Sequence, residues 1–235
     1  MPFRCGVKDH KFHITQHFSY YIGRHSWNNS TLKLNYAISR NHTISYIKFS
    51  DVRLALRSAF AVWSSAIPVK FKETRDYEHA NITIGFFYGD HGDGSPFEDN
   101  VIAHAIIGPG KGMIRFNLAL TFAVDFSSEE SDMAFDLETV AVHEIGHVLG
   151  LGHSSYPEAV MWPYSSPRTT NVELTSDDAY GAQILYDSNP DFDIDSLKPL
   201  NSASKSFGLK EIITISVSLV VAAVSNGFRY YEFLC

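Results

Sequence analysis

Residues 143–153 place three histidines, one glutamate and one glycine at the spacing H-E-x-x-H-x-x-G-x-x-H. His143 and His147 are four residues apart, so one face of a helix would present both imidazoles to a single point. Gly150 permits a left-handed end to that helix, after which the chain can turn back and deliver His153. Three neutral imidazoles with an open fourth position are typical of a catalytic zinc site.

Glu144 follows the first histidine, where its carboxylate can reach the open position and take a proton from zinc-bound water. The competing interpretation is a core helix that carries histidines by coincidence. Each specified position holds a residue type of low background usage, so a chance match is rare. A purely structural zinc site would not need the glutamate. The motif therefore predicts one catalytic zinc ion in a peptidase centre.

The residues around this motif resemble the matrixins, a branch of the metzincin peptidases. Met161, in A-V-M-W-P, stands at the distance expected for the methionine turn beneath the metzincin zinc. Ser154 follows the third histidine, as in matrixins, and residues 172–186 are similar to the closing helix of their catalytic domains. The likeness covers residues 4–187 and is strongest to plant matrix metalloproteinases.

Near the N-terminus, the sequence R-C-G-V-K-D around Cys5 is similar to the cysteine switch of matrixin zymogens. The resemblance implies that the Cys5 thiolate binds the zinc and blocks the water position, while Arg4 and Asp9 anchor the segment. Phe3 and Lys8 stand where the family has proline. The alternative is a free N-terminal thiol. Because the chain starts so close to Cys5, we expect an upstream part to be missing.

The resemblance also implies a structural zinc site. His91 and Asp93 match two of its ligands, and His104 matches a third. Arg115 stands where the family has a fourth ligand, a histidine. A guanidinium cannot bind zinc, and its charge opposes a nearby cation. Two interpretations stay open, namely a zinc ion held by three residues and water, and a solvated loop without metal.

The calcium loop departs further from the family. Asn117 and Leu120 stand at the positions where the family has acidic calcium ligands. The loop around residues 98–100 is also two residues shorter than in the family. Hard cations need several oxygen ligands. We therefore predict that the calcium site is lost.

Hydrophobic patterning predicts a mixture of strands and helices. Alternating apolar residues indicate strands over 32–38, 69–72, 82–86 and 102–107. Helical periodicity and the need to carry the zinc pair indicate helices over 51–66, 135–149 and 176–186. We expect Ser50 or Asp51 to cap the first helix, and Thr175 or Ser176 the last. The result is an α/β (α+β, metzincin-like) domain in which a twisted, mixed five-stranded sheet and three helices frame the zinc cleft.

Beyond that domain the sequence becomes polar, and then apolar. Residues 212–224 form an uncharged run that is shorter than the roughly 20 residues of a membrane-spanning helix. Such a run fits the removable tail of a glycolipid-anchor signal. A membrane helix or hairpin, and no anchoring role, are the alternatives. The predicted domains are a propeptide remnant (1–14), the catalytic domain (15–188), a linker (189–210) and a hydrophobic tail (211–235).

Charge and cysteine content exclude other classes of protein. The net charge of −7 provides no basic field for nucleic acid. Cys5 and Cys235 lie too far out to form a disulfide framework in the core. No apolar signal segment precedes Arg4. The family resemblance nevertheless implies an extracellular or plasma-membrane location, and we expect a monomer.

Together these features predict a zinc-dependent endopeptidase, made as a zymogen, that hydrolyses extracellular proteins with Glu144 as general base. The resemblance implies that protein or peptide substrates lie along the 102–107 strand as an added strand. The alternative is a decayed, non-catalytic matrixin-like surface protein. The intact zinc motif favours the enzyme, whereas Arg115 and the short calcium loop favour decay.

Overall fold

Five strands form the sheet on which the rest of the chain packs. The computed structural model describes residues 2–7, 17–20, 26–27 and 33–197. The strands are β1 (Lys33–Ile38), β2 (Lys70–Glu73), β3 (Ile82–Phe87), β4 (Ala103–Gly108) and β5 (Lys111–Asn117). Their order is β2-β1-β3-β5-β4, with β4 antiparallel to β5 and all other neighbours parallel. The predicted mixed five-stranded sheet is confirmed, and β4 lies at its edge.

β5 is the strand that the sequence pattern did not locate, although it lies between β3 and β4. Its inward positions include Ile114 and Phe116, which are fully buried. Gly112 occupies the inward position before them, and a Cβ there would lie 2.7 Å from Val148 Cγ1. The helix that carries Val148 packs too closely on the strand to leave room for a side chain at Gly112. The apolar alternation is therefore shortened to two residues.

Three helices accompany the sheet, as predicted: α1 (Phe49–Ala66), α2 (Leu137–Val148) and α3 (Ser176–Tyr186). The predicted cap of α1 is wrong. The helix begins at Phe49, its N-cap is Lys48, and no side chain caps it. Ser50 and Asp51 lie inside the first turn, where the Asp51 charge complements the positive end of the helix. In α3 the predicted cap at Thr175 is present, as part of a capping box.

α2 is the most deeply buried helix, since every residue in it except Glu138 is buried. It starts two residues later than predicted, because residues 135–136 instead form a short strand. That strand and its parallel partner are β7 (Phe135–Asp136) and β6 (Phe122–Ala123). Asp136 then caps α2 by accepting a 2.7 Å hydrogen bond from the Thr139 N–H. This start fixes the position of the helix that carries the zinc pair.

No helix within the described residues is long and apolar enough to cross a membrane. Residues 189–197, the start of the predicted linker, lie against α1, where the Asn189 N–H donates to the Ala66 carbonyl oxygen at 3.0 Å. Several predictions fall outside the described residues: those for Lys8 and Asp9 of the switch, the boundary at 14–15, the linker beyond 197 and the tail 211–235.

Candidate active site

α2 and the segment after it bring three imidazoles to one point. His143 and His147 lie on one face of the helix, with their Nε2 atoms 3.0 Å apart. The Nε2 atom of His153 lies 3.2 Å from that of His147. The chain can reverse between them because Gly150 adopts a φ of 104°, a conformation that favours glycine. The three predicted ligands are therefore neighbours in space.

Backbone carbonyl groups fix the orientation of two of these rings. His143 Nδ1 lies 2.7 Å from the Val160 oxygen, and His147 Nδ1 lies 2.8 Å from the Leu151 oxygen. A carbonyl oxygen only accepts, so each Nδ1 carries the proton and each Nε2 presents a lone pair. Burial lowers the pKa of His143 to about 3 and also lowers the pKa of His147. Neutral rings with converging lone pairs form a donor set that fits zinc.

Glu144 lies beside this cluster and is fully buried. Its Oε2 atom has no hydrogen-bond partner among the described residues. Burial raises the pKa of Glu144 to about 8, although its hydrogen bond to Cys5 works in the opposite direction. A buried carboxyl oxygen without a hydrogen-bond partner destabilises the folded state, so its presence in a native protein calls for an explanation such as a catalytic role. Its position beside the three imidazoles is that expected of a general base held ready for water.

Cys5 reaches the same point from the N-terminal segment. Its Sγ atom lies 3.3 Å from His147 Nε2 and accepts a 3.3 Å hydrogen bond from the Val7 N–H. Four candidate donor atoms thus lie within 4.8 Å of one another, from Cys5, His143, His147 and His153. This is the geometry implied by the resemblance to the cysteine switch. Three nitrogens and a thiolate sulfur would complete a closed tetrahedral set.

The segment that carries Cys5 lies between the two walls of the cleft. The Arg4 N–H donates to the Asn100 oxygen at 2.9 Å, and the Gly6 N–H donates to the Ala103 oxygen at 2.8 Å. On the other side, the Cys5 N–H donates to the Pro163 oxygen at 2.9 Å. The segment therefore pairs with the start of the β4 edge, where the family places an added substrate strand.

Gly6 is required for this approach. A Cβ at that position would lie 2.8 Å from Val101 Cγ1 and 3.1 Å from His104 Cβ. The Arg4 guanidinium forms a 3.1 Å ion pair with Glu98, whose side chain is 72% exposed. An ion pair so open to water contributes little. Backbone pairing and close packing at Gly6 therefore hold the segment.

Met161, the predicted turn methionine, packs against α2 at Gly146, which lies between His143 and His147 in the sequence. It is buried, and a Cβ at Gly146, on α2, would collide with its Sδ atom. The turn is held from α3, because the Asp178 carboxylate accepts from the N–H groups of Val160 at 2.9 Å and Met161 at 3.0 Å. Asp178 also accepts from Thr175, which caps α3. One carboxylate thus joins the helix start to the floor of the site.

The support that Asp177 and Asp178 give to the site is a feature that sequence reasoning did not identify. Asp177 accepts from Ser154 Oγ at 2.7 Å and from the Phe18 N–H at 3.1 Å. Ser154 directly follows the third histidine. Burial raises the pKa of both aspartates. The adjacent acidic pair in the first turn of α3 was the available signal, but only the fold shows which loops it holds.

A second cluster forms where the structural zinc was considered. Asp93 Oδ2 lies 2.8 Å from His91 Nε2 and 2.9 Å from His104 Nε2, so the three predicted residues are brought together. Arg115 Nε lies 3.8 Å from the same oxygen and has no hydrogen-bond partner among the described residues. The Arg115 guanidinium stacks over the Phe87 ring at 4.3 Å. The carboxylate therefore faces three nitrogen-bearing side chains.

A cavity of about 340 Å³ opens beside Glu144 and His143. Val140 lines it with an apolar wall, and Thr139 and Asn171 add polar groups. The Asn171 N–H donates to Thr139 Oγ1 at 2.9 Å, which fixes one side of the cavity. A space of this size next to the candidate general base can hold one large amino-acid side chain.

Comparison with known proteins agrees with this geometry. A family model described as matrixin matches residues 26–187. The chain is 48% identical to metalloendoproteinase 4-MMP of Arabidopsis thaliana, over 83% of this chain and 59% of the relative, and 46% identical to Arabidopsis metalloendoproteinase 1-MMP, over 83% and 55%. It is 37% identical to human neutrophil collagenase, over 80% of this chain and 38% of the relative. The chain thus spans less than two thirds of the length of these relatives. It belongs to the matrixin family.

Proposed function

We propose that this chain is a zinc-dependent endopeptidase that hydrolyses peptide bonds of extracellular proteins. The observation that carries the proposal is the convergence of three imidazole Nε2 atoms beside the unpartnered Glu144 oxygen. Membership of the matrixin family and the similarity to metalloendoproteinases support it. No feature of the described site favours the decayed, non-catalytic alternative.

The proposed mechanism assigns one task to each group. His143, His147 and His153 hold the zinc ion, which when bound supplies Lewis acidity to the scissile carbonyl and lowers the pKa of water. Glu144 accepts a proton from the attacking water while the water oxygen forms a bond to the carbonyl carbon. Glu144 then returns that proton to the amine nitrogen as the C–N bond breaks. Met161 supports the histidines from below.

The substrate is proposed to bind as an extended peptide along the β4 edge. Backbone pairing at that edge is independent of side chains, so selectivity depends on cavities. The cavity beside Glu144 and Val140 is placed to take the side chain next to the scissile bond. The segment around Cys5 uses the start of the same edge. We therefore propose that it inhibits the enzyme both as a zinc ligand and as an occupant of the substrate path.

For the other metals, we propose a single zinc ion per chain and no calcium site. The Arg115 guanidinium supplies positive charge beside Asp93, where the family has a fourth ligand. The Asn117 side chain is turned toward the backbone, donating to the Val101 oxygen at 2.8 Å and accepting from the Ala119 N–H at 3.0 Å. Both polar atoms of this amide are thus hydrogen-bonded to the backbone, so Asn117 is not available as a calcium ligand.

An extracellular or plasma-membrane location, a monomeric state and attachment through residues 211–235 remain proposals that follow from the sequence. The described residues do not include that tail. Protein or peptide substrates are the expected partners, as the metalloendoproteinase relatives suggest.

Zinc content and hydrolysis of a quenched peptide library by the same preparation test the proposed function. We expect one zinc ion per chain and cleavage of internal bonds. Glu144→Gln should lower the rate by a factor of about 10²–10⁴ with zinc retained, because Glu144 is the base and not a ligand. Retention of more than about a tenth of the rate would remove Glu144 from that role. His153→Ala is the matched variant that should lose zinc as well as activity.

A further inference from the structure

A cavity of about 630 Å³, larger than the one at the active site, opens where β1 and β2 end. Ile38 and Glu73, the last residues of these parallel strands, line it together with the loops that follow. The sheet order puts β1 and β2 at the opposite side from the β4 edge. This cavity, called the arginine cleft here because four arginines line it, is therefore separate from the proposed substrate path.

Positive charge dominates the arginine cleft. Its charged lining consists of one carboxylate, from Glu73, and four guanidinium groups, from Arg40, Arg53, Arg57 and Arg75. The whole chain carries a net charge of −7, so the cleft reverses the sign of the protein locally. A concave surface lined by one sign of charge focuses the field and concentrates ligands of the opposite sign.

The one carboxylate in the cleft is already paired. Arg53 binds Glu73 through two hydrogen bonds, of 2.7 Å and 2.9 Å, and Arg57 Nη2 lies 3.8 Å from the same carboxylate. Neither Arg40 nor Arg75 forms an ion pair with a described residue. Arg40 instead stacks on the Phe49 ring at 4.7 Å, which holds its guanidinium while the N–H groups stay able to donate. The cleft thus has more guanidinium groups than carboxylates to occupy them.

Neighbouring groups do not neutralise this excess. Asp76, next to Arg75, is hydrogen-bonded to His79 at 3.0 Å and does not line the cleft. Phe49 lines the cleft at the start of α1, and no side chain caps that helix. Asp51, in the first turn, offsets the positive end of the helix, so the arginines themselves carry the positive field of the cleft.

We propose that the arginine cleft binds an acidic peptide segment through its carboxylates. The fork between Arg53 and Glu73 shows that a side-chain carboxylate fits a guanidinium in this cleft. The remaining arginines come from two loops and a helix, so they are spread over several attachment points rather than gathered around one small anion. Where the segment belongs to a substrate, this inference rests on the proposed endopeptidase function. The cleft would then bind the substrate at a point distant from its scissile bond.

Binding of fluorescent poly-L-glutamate to the full chain tests the proposal. The chain carries Glu144→Gln so that the probe is not hydrolysed, and anisotropy gives the Kd. Arg40→Gln combined with Arg75→Gln should raise the Kd at least about tenfold, because two charge-assisted contacts with the carboxylates of the probe are lost. Both arginines are exposed and lack ion pairs within the described residues, so the fold should be retained.

Lys70→Gln combined with Lys72→Gln is the matched control. These exposed lysines lie on β2 but do not line the cleft, and the variant removes the same two charges. Its Kd should stay within about threefold of the parent, since only diffuse attraction is lost. Equal weakening in the two variants would show non-specific attraction and overturn the proposal. Failure of the parent chain to bind poly-L-glutamate would do the same.

Two other ligands complete the test. Polygalacturonate bound in preference to poly-L-glutamate would overturn the peptide assignment in favour of an acidic polysaccharide. Inorganic phosphate that displaced the probe at low millimolar concentration would reassign the cleft to small anions. Hydrolysis of a short neutral peptide, measured with Glu144 intact, should be the same with and without the arginine substitutions. If that peptide is not cut at all, the endopeptidase proposal fails while the binding result still stands.

Discussion

At the scale of single residues, Arg115 decides the chemistry of the second cluster. Its guanidinium lies close to Asp93 and stacks on Phe87, so it supplies the cation that the carboxylate would otherwise take from a metal. His91 and His104 complete the ring of nitrogen-bearing groups. We propose that this single side chain favours an ionic cluster over a second zinc site.

Arg115→His should convert this cluster into a zinc site. The variant would add a fourth ligand and remove the charge that repels a cation. We expect the zinc content to rise from one to two ions per chain, and the melting temperature to increase only when zinc is present. Arg115→Gln, which removes the charge without adding a ligand, is the control. A content of one zinc in both variants would contradict the proposed role of Arg115.

At the scale of elements, the N-terminal segment and α3 hold the site from opposite sides. The segment 2–7 fits the cleft through backbone pairing and the absence of a side chain at Gly6. α3 holds the methionine turn through Asp178. The backbone pairing of the segment and the hydrogen bonds of Asp178 involve different residues, so each can be altered separately.

Gly6→Ala should weaken the inhibition by Cys5. The added methyl group would meet Val101 and His104 and push the segment out of the cleft. We expect the basal rate of peptide hydrolysis by the full chain to rise toward that of Cys5→Ser, in which a poor zinc ligand replaces the thiolate. Reactivity of Cys5 toward a thiol reagent should increase in parallel. An unchanged rate in Gly6→Ala and in Cys5→Ser would mean that the segment does not inhibit.

Asp178→Asn should destabilise the protein and reduce its activity. The buried carboxylate accepts hydrogen bonds at both oxygens, from Val160, Met161 and Thr175, whereas an amide has one accepting oxygen. We expect the free energy of unfolding to fall by about 2–4 kcal/mol, because buried N–H donors lose their acceptors. Denaturant unfolding measures the loss. Ser176→Ala, on the same helix, should change it by less than about 0.5 kcal/mol.

The predictable part of the structure is the part that local spacing specifies. The zinc pair requires a helix, so α2 followed from His143 and His147. β5 was missed because Gly112 interrupts its apolar alternation. A glycine is needed there because α2, which is distant in sequence, packs closely on the strand. The start of α1 was misplaced because polar residues inside a first turn resemble a cap. The links made by Asp178 depend on loops that only the tertiary fold brings together.

At the scale of the whole molecule, zinc and calcium should contribute unequally to stability. A bound ion stabilises the folded state according to its concentration relative to its dissociation constant. Millimolar calcium should leave the melting temperature unchanged, since Asn117 is engaged with the backbone. A zinc chelator should lower it, because converging imidazole lone pairs lose their cation. A calcium-dependent increase of several degrees, reversed by a chelator, would contradict the predicted loss of the calcium site.

The pairing of Arg4 and Gly6 with residues 100–103 also bears on how the protein behaves in concentrated solution. An uncovered sheet edge offers free peptide groups on which a second molecule can add a strand, and folded proteins usually shield such edges. In this chain the segment 2–7 provides the shield at the start of β4. Removal of residues 2–7 would then do two things at once. It would admit substrate, and it would leave a surface prone to self-association, so the activated enzyme should be the less soluble form.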